Sequence, residues 1–189
     1  MSTMSLTRNS MWEVTSRTIV YAAIGAALYG VLSLFSFLLP GTTNVDLRPA
    51  FALVTFFGYA FGPIVGLFTG LVGNAIGDQL HGYGFLTYWN WSLANGVAGL
   101  VAGLAPLYLG AMVSGSIGRR AIGGAIAGVV GSVIGFLLAF LDIVTGGMTA
   151  SAVLTSEYIP VIIADFIVVV ILMPILVYAW EPVKEQLGR

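Results

Sequence analysis

Long apolar stretches separated by short polar joints run through almost the whole chain, and the few charges fall in the joints with a strong bias to one side. A helix needs roughly 20 apolar residues to span a bilayer, so this pattern leaves one economical plan for 189 residues: six spans with short loops. We place them at 17–38, 49–61, 63–80, 88–113, 121–144 and 158–180, as a single integral-membrane domain over 1–189. Composition agrees, with 58% hydrophobic and 8% charged residues against the quarter or so of charged residues in soluble domains. The expected fold is an all-α, six-transmembrane-helix bundle, because backbone polar groups in hydrocarbon must be satisfied within each segment. The second and third spans meet at Phe61-Gly62-Pro63 as a tight hairpin, and Pro49 and Pro63 suit the first turn of a helix. The opening residues are polar and mixed and do not read as a signal peptide.

An even number of spans puts both termini on one face. That face then carries Arg8, Arg17, Arg119, Arg120, Lys184 and Arg189, and the other carries only Arg48. Basic residues collect on the cytoplasmic side, so the termini are expected to be cytoplasmic and the chain to lie in a cell membrane. Asp46, Asp78, Asp142, Glu157 and Asp165 lean toward the outer face. A net charge of -1 points to no nucleic-acid partner.

Ionisable groups within membrane depth are costly and mark function by default. Asp165 falls roughly 10 Å inside the last span at helical rise. Asp142 lies near the outer end of the fifth, Asn74 and Asp78 share a face of the third, and Asn90 and Asn95 occupy the outer half of the fourth. These depths converge on one layer. Interhelical hydrogen bonds, Asp165 to an asparagine for instance, are the structural alternative. Two loops border the layer: Pro40–Pro49, with Asn44, Asp46 and Arg48, and His81–Trp91, with Tyr83, Tyr88 and Trp89. An interfacial aromatic belt explains such rings as well as a ligand does, but aromatic faces beside a few polar groups also suit a small planar molecule. His81 is expected to be a loop residue, and Arg48 has a local partner in Asp46.

Several chemistries are excluded. There is no cysteine, and one histidine cannot build a histidine-rich metal site. No phosphate-binding loop is present, the only lysine is Lys184, and no serine sits in a nucleophile motif. The chain is not expected to be an enzyme, to hydrolyse ATP or to carry a cofactor. Transport would need an ion gradient or a partner. Small residues at spacing four (Ala22/Ala26/Gly30, Gly62/Gly66/Gly70, Gly99/Gly103, Gly124/Gly128, Gly131/Gly135) let helices approach closely, first of all within the bundle.

A set of local patterns adds a family to this picture. Arg48-Pro49-Ala50, Phe61-Gly62-Pro63-Ile64-Val65-Gly66, Gly70-Leu71-Val72-Gly73 with Asp78, Gly82-x-Gly84, Trp89-x-Trp91, Leu141-Asp142-Ile143 and Ile163-Ala164-Asp165 follow one another in order. Together they resemble the substrate-binding (S) subunits of energy-coupling factor vitamin transporters, in the riboflavin-transporter-like branch, from about Ile19 to Ile175. That branch often has a histidine where this chain has Asn74. The resemblance implies a six-helix bundle that binds one water-soluble vitamin or precursor near the extracellular face, under the first loop. It implies docking in the lipid bilayer on a transmembrane (EcfT-type) coupling subunit driven by two cytoplasmic ATPase subunits, and toppling to deliver the ligand. Docking in the family uses an Ala-x-x-x-Ala face on the first span; Ala22/Ala26 fit here, with Ala23/Ala27 on the next row and Gly30 a turn further on.

The expected ligand site comprises Asn44, Asp46, Arg48, Asn74, Asp78, Tyr83, Tyr88, Trp89, Asn95, Asp142 and Asp165. Buried carboxylates need donors or cations, so a neutral or cationic aromatic amine fits better than an anion: thiamine, its hydroxymethylpyrimidine precursor or a pyridoxine-type vitamer, with riboflavin and queuosine-like bases as further candidates. The rival readings are an ion-coupled transporter acting alone, with Asp165 and Asp142 as its relay, and a non-transporting assembly subunit.

Overall fold

A computed structural model of the chain describes residues 10–40, 42 and 45–186; Arg8, Asn44 and Arg189 lie outside these. Within the described residues the chain is almost entirely helical. Helix α1 (Ser16–Leu32) starts at a Thr15/Thr18 capping box that satisfies its first N–H groups. A hairpin follows, β1 (Phe37–Leu38) antiparallel to β2 (Asp46–Leu47), with Leu38 opposite Asp46. Helices α2 (Phe51–Phe61) and α3 (Pro63–Leu80) are joined by Gly62 alone, whose φ of +108° only glycine adopts without strain. Helix α4 (Trp89–Gly103) leads through short turns at Ala105–Tyr108 and Gly110–Val113 to α5 (Ile117–Gly135). A 3₁₀ segment (Phe136–Leu141) and a further turn (Asp142–Thr145) extend α5. The last helix begins at Ala150, passes through a π turn (Leu154–Tyr158) and continues as α6 (Ile159–Gln186).

The 29-residue stretch Ile117–Thr145 and the 37-residue stretch Ala150–Gln186 are long and apolar enough to cross a membrane. Helix α3 has the bounds of the expected span 63–80, whereas α1, α2 and α4 are shorter than theirs. The first ends at Leu32, and 33–38 turns and enters the hairpin; an apolar run such as Phe35–Leu38 reads alike as helix or strand. Pro49 lies in the turn ahead of α2, whereas Pro63 opens α3 as anticipated. The expected fourth span breaks after Gly103, where Pro106 cannot continue the hydrogen-bond ladder of α4. The last helix starts before 158 because Thr149 caps it, accepting from the Ala152 N–H at 3.2 Å, and this brings Glu157 into the helix.

Glycine seams hold the bundle. Helix α3 lies between α1 and α4, and α5 between α4 and α6. A methyl group at Gly66 would run into the Gly99 carbonyl, one at Gly70 into the Asn95 carbonyl, and one at Gly131 into the Ala98 carbonyl. The small-residue stripes therefore do join helices of the same chain. Three of the five residues assigned to a docking face on α1 lie inside the bundle. Ala22, Ala26 and Gly30 are buried against the chain's own helices; a methyl at Gly30 would meet Ile76 and Gly73 of α3. Only Ala23 and Ala27 face outward, beside exposed Ile24 and Leu28.

Candidate functional site

One end of the bundle holds a cavity of about 420 Å³, within the range of small-molecule sites. Every long helix reaches it, α5 through its extension. Tyr29 comes from α1, Asp46 and Arg48 from β2 and the residue after it, and Phe51 from α2. Asn74 and Asp78 come from α3, Trp91 and Asn95 from α4, Phe136 and Asp142 from the extension of α5, and Glu157, Val161 and Asp165 from the last helix. Tyr83 and Tyr88 close one side from the loop between α3 and α4. In that loop Gly82 and Gly84 take φ of +84° and +93°, and the His81 and Tyr83 rings stack at 5.6 Å.

The polar wall is organised around Asn74. Its Oδ1 accepts from Arg48 Nη1 at 3.0 Å, while its Nδ2 donates to Asp78 Oδ2 at 2.9 Å and Ser92 Oγ at 3.1 Å. Tyr29 Oη donates to Asn95 Oδ1 at 2.7 Å, and Asn95 Nδ2 donates to the Trp91 carbonyl at 2.9 Å. These contacts tie α1, α3, α4 and the hairpin together at one point. Arg48 lies only 3.8 Å from Asp46, whose carboxylate accepts from Ser36 at 3.0 Å, so Asn74 is its closer partner. Burial pulls the Arg48 pKa down, but Tyr29, Asp78 and Asp46 outweigh that and hold it above its ordinary value. The guanidinium is a fixed positive charge in the wall.

Asp142 closes the opposite side. It accepts from Asn90 Nδ2 at 2.9 Å, Trp91 Nε1 at 2.8 Å and Thr145 Oγ1 at 2.9 Å. The Trp91 ring, thus oriented, lies 5.8 Å from that of Phe136. Asp165, only 4% exposed, accepts from Ser132 Oγ at 2.7 Å; the structural partner is a serine of α5, not an asparagine.

The cavity gathers all the expected site residues except Asn44, which lies outside the described residues, and Trp89. Trp89 is 46% exposed and turned away; its neighbour Trp91 lines the cavity instead. At the first turn of a helix, residues two apart face roughly opposite sides, so one of the pair had to point outward. Tyr29, Trp91, Phe136 and Glu157 were not foreseen as site residues. Of these, Trp91 carried a signal in the Trp-x-Trp pair and Glu157 in its place among the acids of the outer face. Among the described residues no group of histidines and carboxylates is arranged to hold a metal ion.

The sequence model of the ECF-type riboflavin transporter S component matches residues 13–181. The chain belongs to this family. Such S components are membrane transport proteins, not an enzyme class, and the two long apolar helices suit a membrane protein. Among similar proteins are UPF0397 proteins of Vibrio atlanticus (41% identical over 93 residues, 49% of this chain and 50% of the relative) and of Aliivibrio fischeri strain MJ11 and Aliivibrio salmonicida (each 38% over 95 residues, 50% of this chain and 51% of the relative). The matched segment thus spans about half the length of these curated relatives.

Proposed function

We propose that this S component is the substrate-binding subunit of an ATP-driven vitamin importer in a prokaryotic cell membrane, and that the cavity is its ligand site. The chain crosses the bilayer six times with cytoplasmic termini, which puts the cavity at the outer face, away from Arg119, Arg120 and Lys184. The ligand is a water-soluble vitamin or precursor of the neutral or cationic aromatic-amine type: thiamine, its hydroxymethylpyrimidine or a pyridoxine-type vitamer. One observation carries this choice. Asp46, Asp78, Asp142, Glu157 and Asp165 converge on a cavity whose one cation is Arg48 among the described residues, with the Trp91 and Phe136 rings in its wall. Desolvated carboxylates are offset by donors and cations, not by a second anion.

Uptake energy comes from a transmembrane coupling subunit and a pair of ATPases, reached through the outward Ala23/Ala27 row of α1. The test is a thermal-shift and native-mass screen of the protein in detergent against vitamins and their precursors. Stabilisation by an aromatic amine, with none by anionic vitamins, is the expected result. Uptake by this chain alone in ATP-free vesicles under an ion gradient would overturn the reading in favour of a secondary transporter.

A further inference from the structure

The carboxylates around the cavity differ in what they already bind. Asp142 is fully engaged: Oδ1 accepts from Asn90 and Thr145, and Oδ2 from the Trp91 indole. Asp78 is held by Asn74, and Asp46 by Ser36 and Arg48. Glu157 on the last helix is different. Glu157 Oε2 is buried and has no hydrogen-bond partner among the described residues. Asp165, on the same helix, accepts on Oδ2 from Ser132 at 2.7 Å. Glu157, Val161 and Asp165 all line the cavity. They are spaced four apart, which sets them in one stripe along the helix. Glu157 also sits in the π turn Leu154–Tyr158, a rare geometry that recurs at functional sites. A buried acceptor without a donor destabilises the fold that holds it, so Glu157, facing the cavity on one stripe with Asp165, calls for a donor from outside the chain.

We infer that Glu157 and Asp165 are the carboxylates that bind the ligand's donor groups, whereas Asp142 is a positioning residue that acts through Trp91. The stripe sets the ligand's shape. It carries N–H or O–H donors at both ends and a flat apolar middle that lies over Val161 between the two acids, whose backbones are roughly 12 Å apart at helical rise. This rests on the cavity being the ligand site, as proposed above.

The experiment has an arm without ligand and an arm with thiamine as probe. In detergent without ligand, Glu157→Gln melts at or above the wild-type temperature, because it relieves an unpaired charge. Asp142→Asn melts about 5 °C lower, because its new NH2 group faces donors. Equal losses from both variants would make Glu157 structural and overturn the inference. With thiamine, Glu157→Gln and Asp165→Asn each weaken binding roughly 10- to 100-fold, and Glu157→Gln adds to the effect of Trp91→Phe. Asp142→Asn does not add to Trp91→Phe, since both act on the same ring. Additivity of Asp142→Asn with Trp91→Phe, or full affinity in Glu157→Gln, would also overturn the inference. Failure of thiamine and related amines to bind the wild type sinks the ligand class proposed above, and the melting arm then decides Glu157 by itself.

Discussion

Gly70→Ala probes the contact on which the site depends. Gly70 of α3 lies against the backbone of α4. An added methyl would collide with the Asn95 carbonyl and stand 2.6 Å from the Gly96 nitrogen. Non-bonded carbon contacts settle at about 3.5–4.0 Å, so the α3–α4 seam must open by about 1 Å. Backbone stands on the far side, and no flexible side chain can yield. Overpacking of this kind costs about 1–3 kcal/mol. For a chain of this length that lowers the melting temperature by about 5 °C on the scale known for soluble domains. The second consequence is local. Asn95 holds the Tyr29 hydroxyl at 2.7 Å and faces Asn74 Oδ1 at 3.3 Å, so a shift of 1 Å in α4 breaks the first bond and loosens the second. Ligand affinity therefore falls along with stability. Melting in detergent, followed by tryptophan fluorescence with and without ligand, reads both. Gly110→Ala is the control, because nothing lies within 4 Å of a methyl there. If Gly70→Ala and Gly110→Ala both melted with the wild type, the close α3–α4 seam would be wrong and the geometry of the Asn74–Asn95 wall with it.

Three further outcomes test other parts of the reading. Trp91→Ala removes a cavity wall and the indole donor of Asp142, so binding measured by calorimetry weakens about 10-fold or more, while Trp89→Ala, already turned outward, stays within about twofold. Ala27→Trp blocks the outward row of α1 without touching the cavity; vitamin uptake by cells that also express the coupling subunits is lost while detergent binding persists, and loss of both would remove the docking assignment. Because the chain has no cysteine, single cysteines report sidedness cleanly: a membrane-impermeant maleimide added outside labels Tyr83→Cys and not Arg119→Cys, and the reverse pattern would invert the topology.

What could be read from the sequence follows from which physical signals are local. Helical character and the convergence of Asp78, Asn95, Asp142 and Asp165 were legible, because hydropathy fixes the depth of each polar residue in a bundle of parallel rods. Depth does not fix rotation about the helix axis. That is why Trp89 was chosen over Trp91, and why Ala22 and Ala26 stood for an outer face they do not occupy. Tyr29 was invisible because nothing in the sequence sets it apart from Tyr21 on the same apolar helix, and its contacts to Asn95 and Asn74 show that its hydroxyl faces the site. The β1–β2 hairpin was missed because Phe35–Leu38 continues the hydropathy of α1 without a break; its stop is the pairing of Leu38 with Asp46, eight positions along the chain. Glu157 was placed in a loop because the cap at Thr149 lies where a loop was expected.

The layout of the cavity also bears on how ligand occupancy could reach a partner. Each long helix or, for α5, its extension supplies at least one wall residue, so no helix can shift much without changing the space a ligand fills. Tyr29 is the instructive case. Its hydroxyl bonds to Asn95 in the wall, while Ala27, two residues earlier on α1, faces outward in the proposed docking row. A ligand that fixes the Asn74–Asn95 wall therefore also fixes the rotation of α1 about its axis, and with it the direction in which Ala23 and Ala27 point. Binding can bias docking by only as much as the ligand prefers one arrangement over another. Tyr29→Phe keeps the ring and removes the hydroxyl's ties to Asn95 and Asn74, so it should leave α1 packed while weakening the dependence of partner affinity on ligand. Equal ligand dependence in Tyr29→Phe and wild type, measured by partner pull-down with and without ligand, would place the coupling elsewhere.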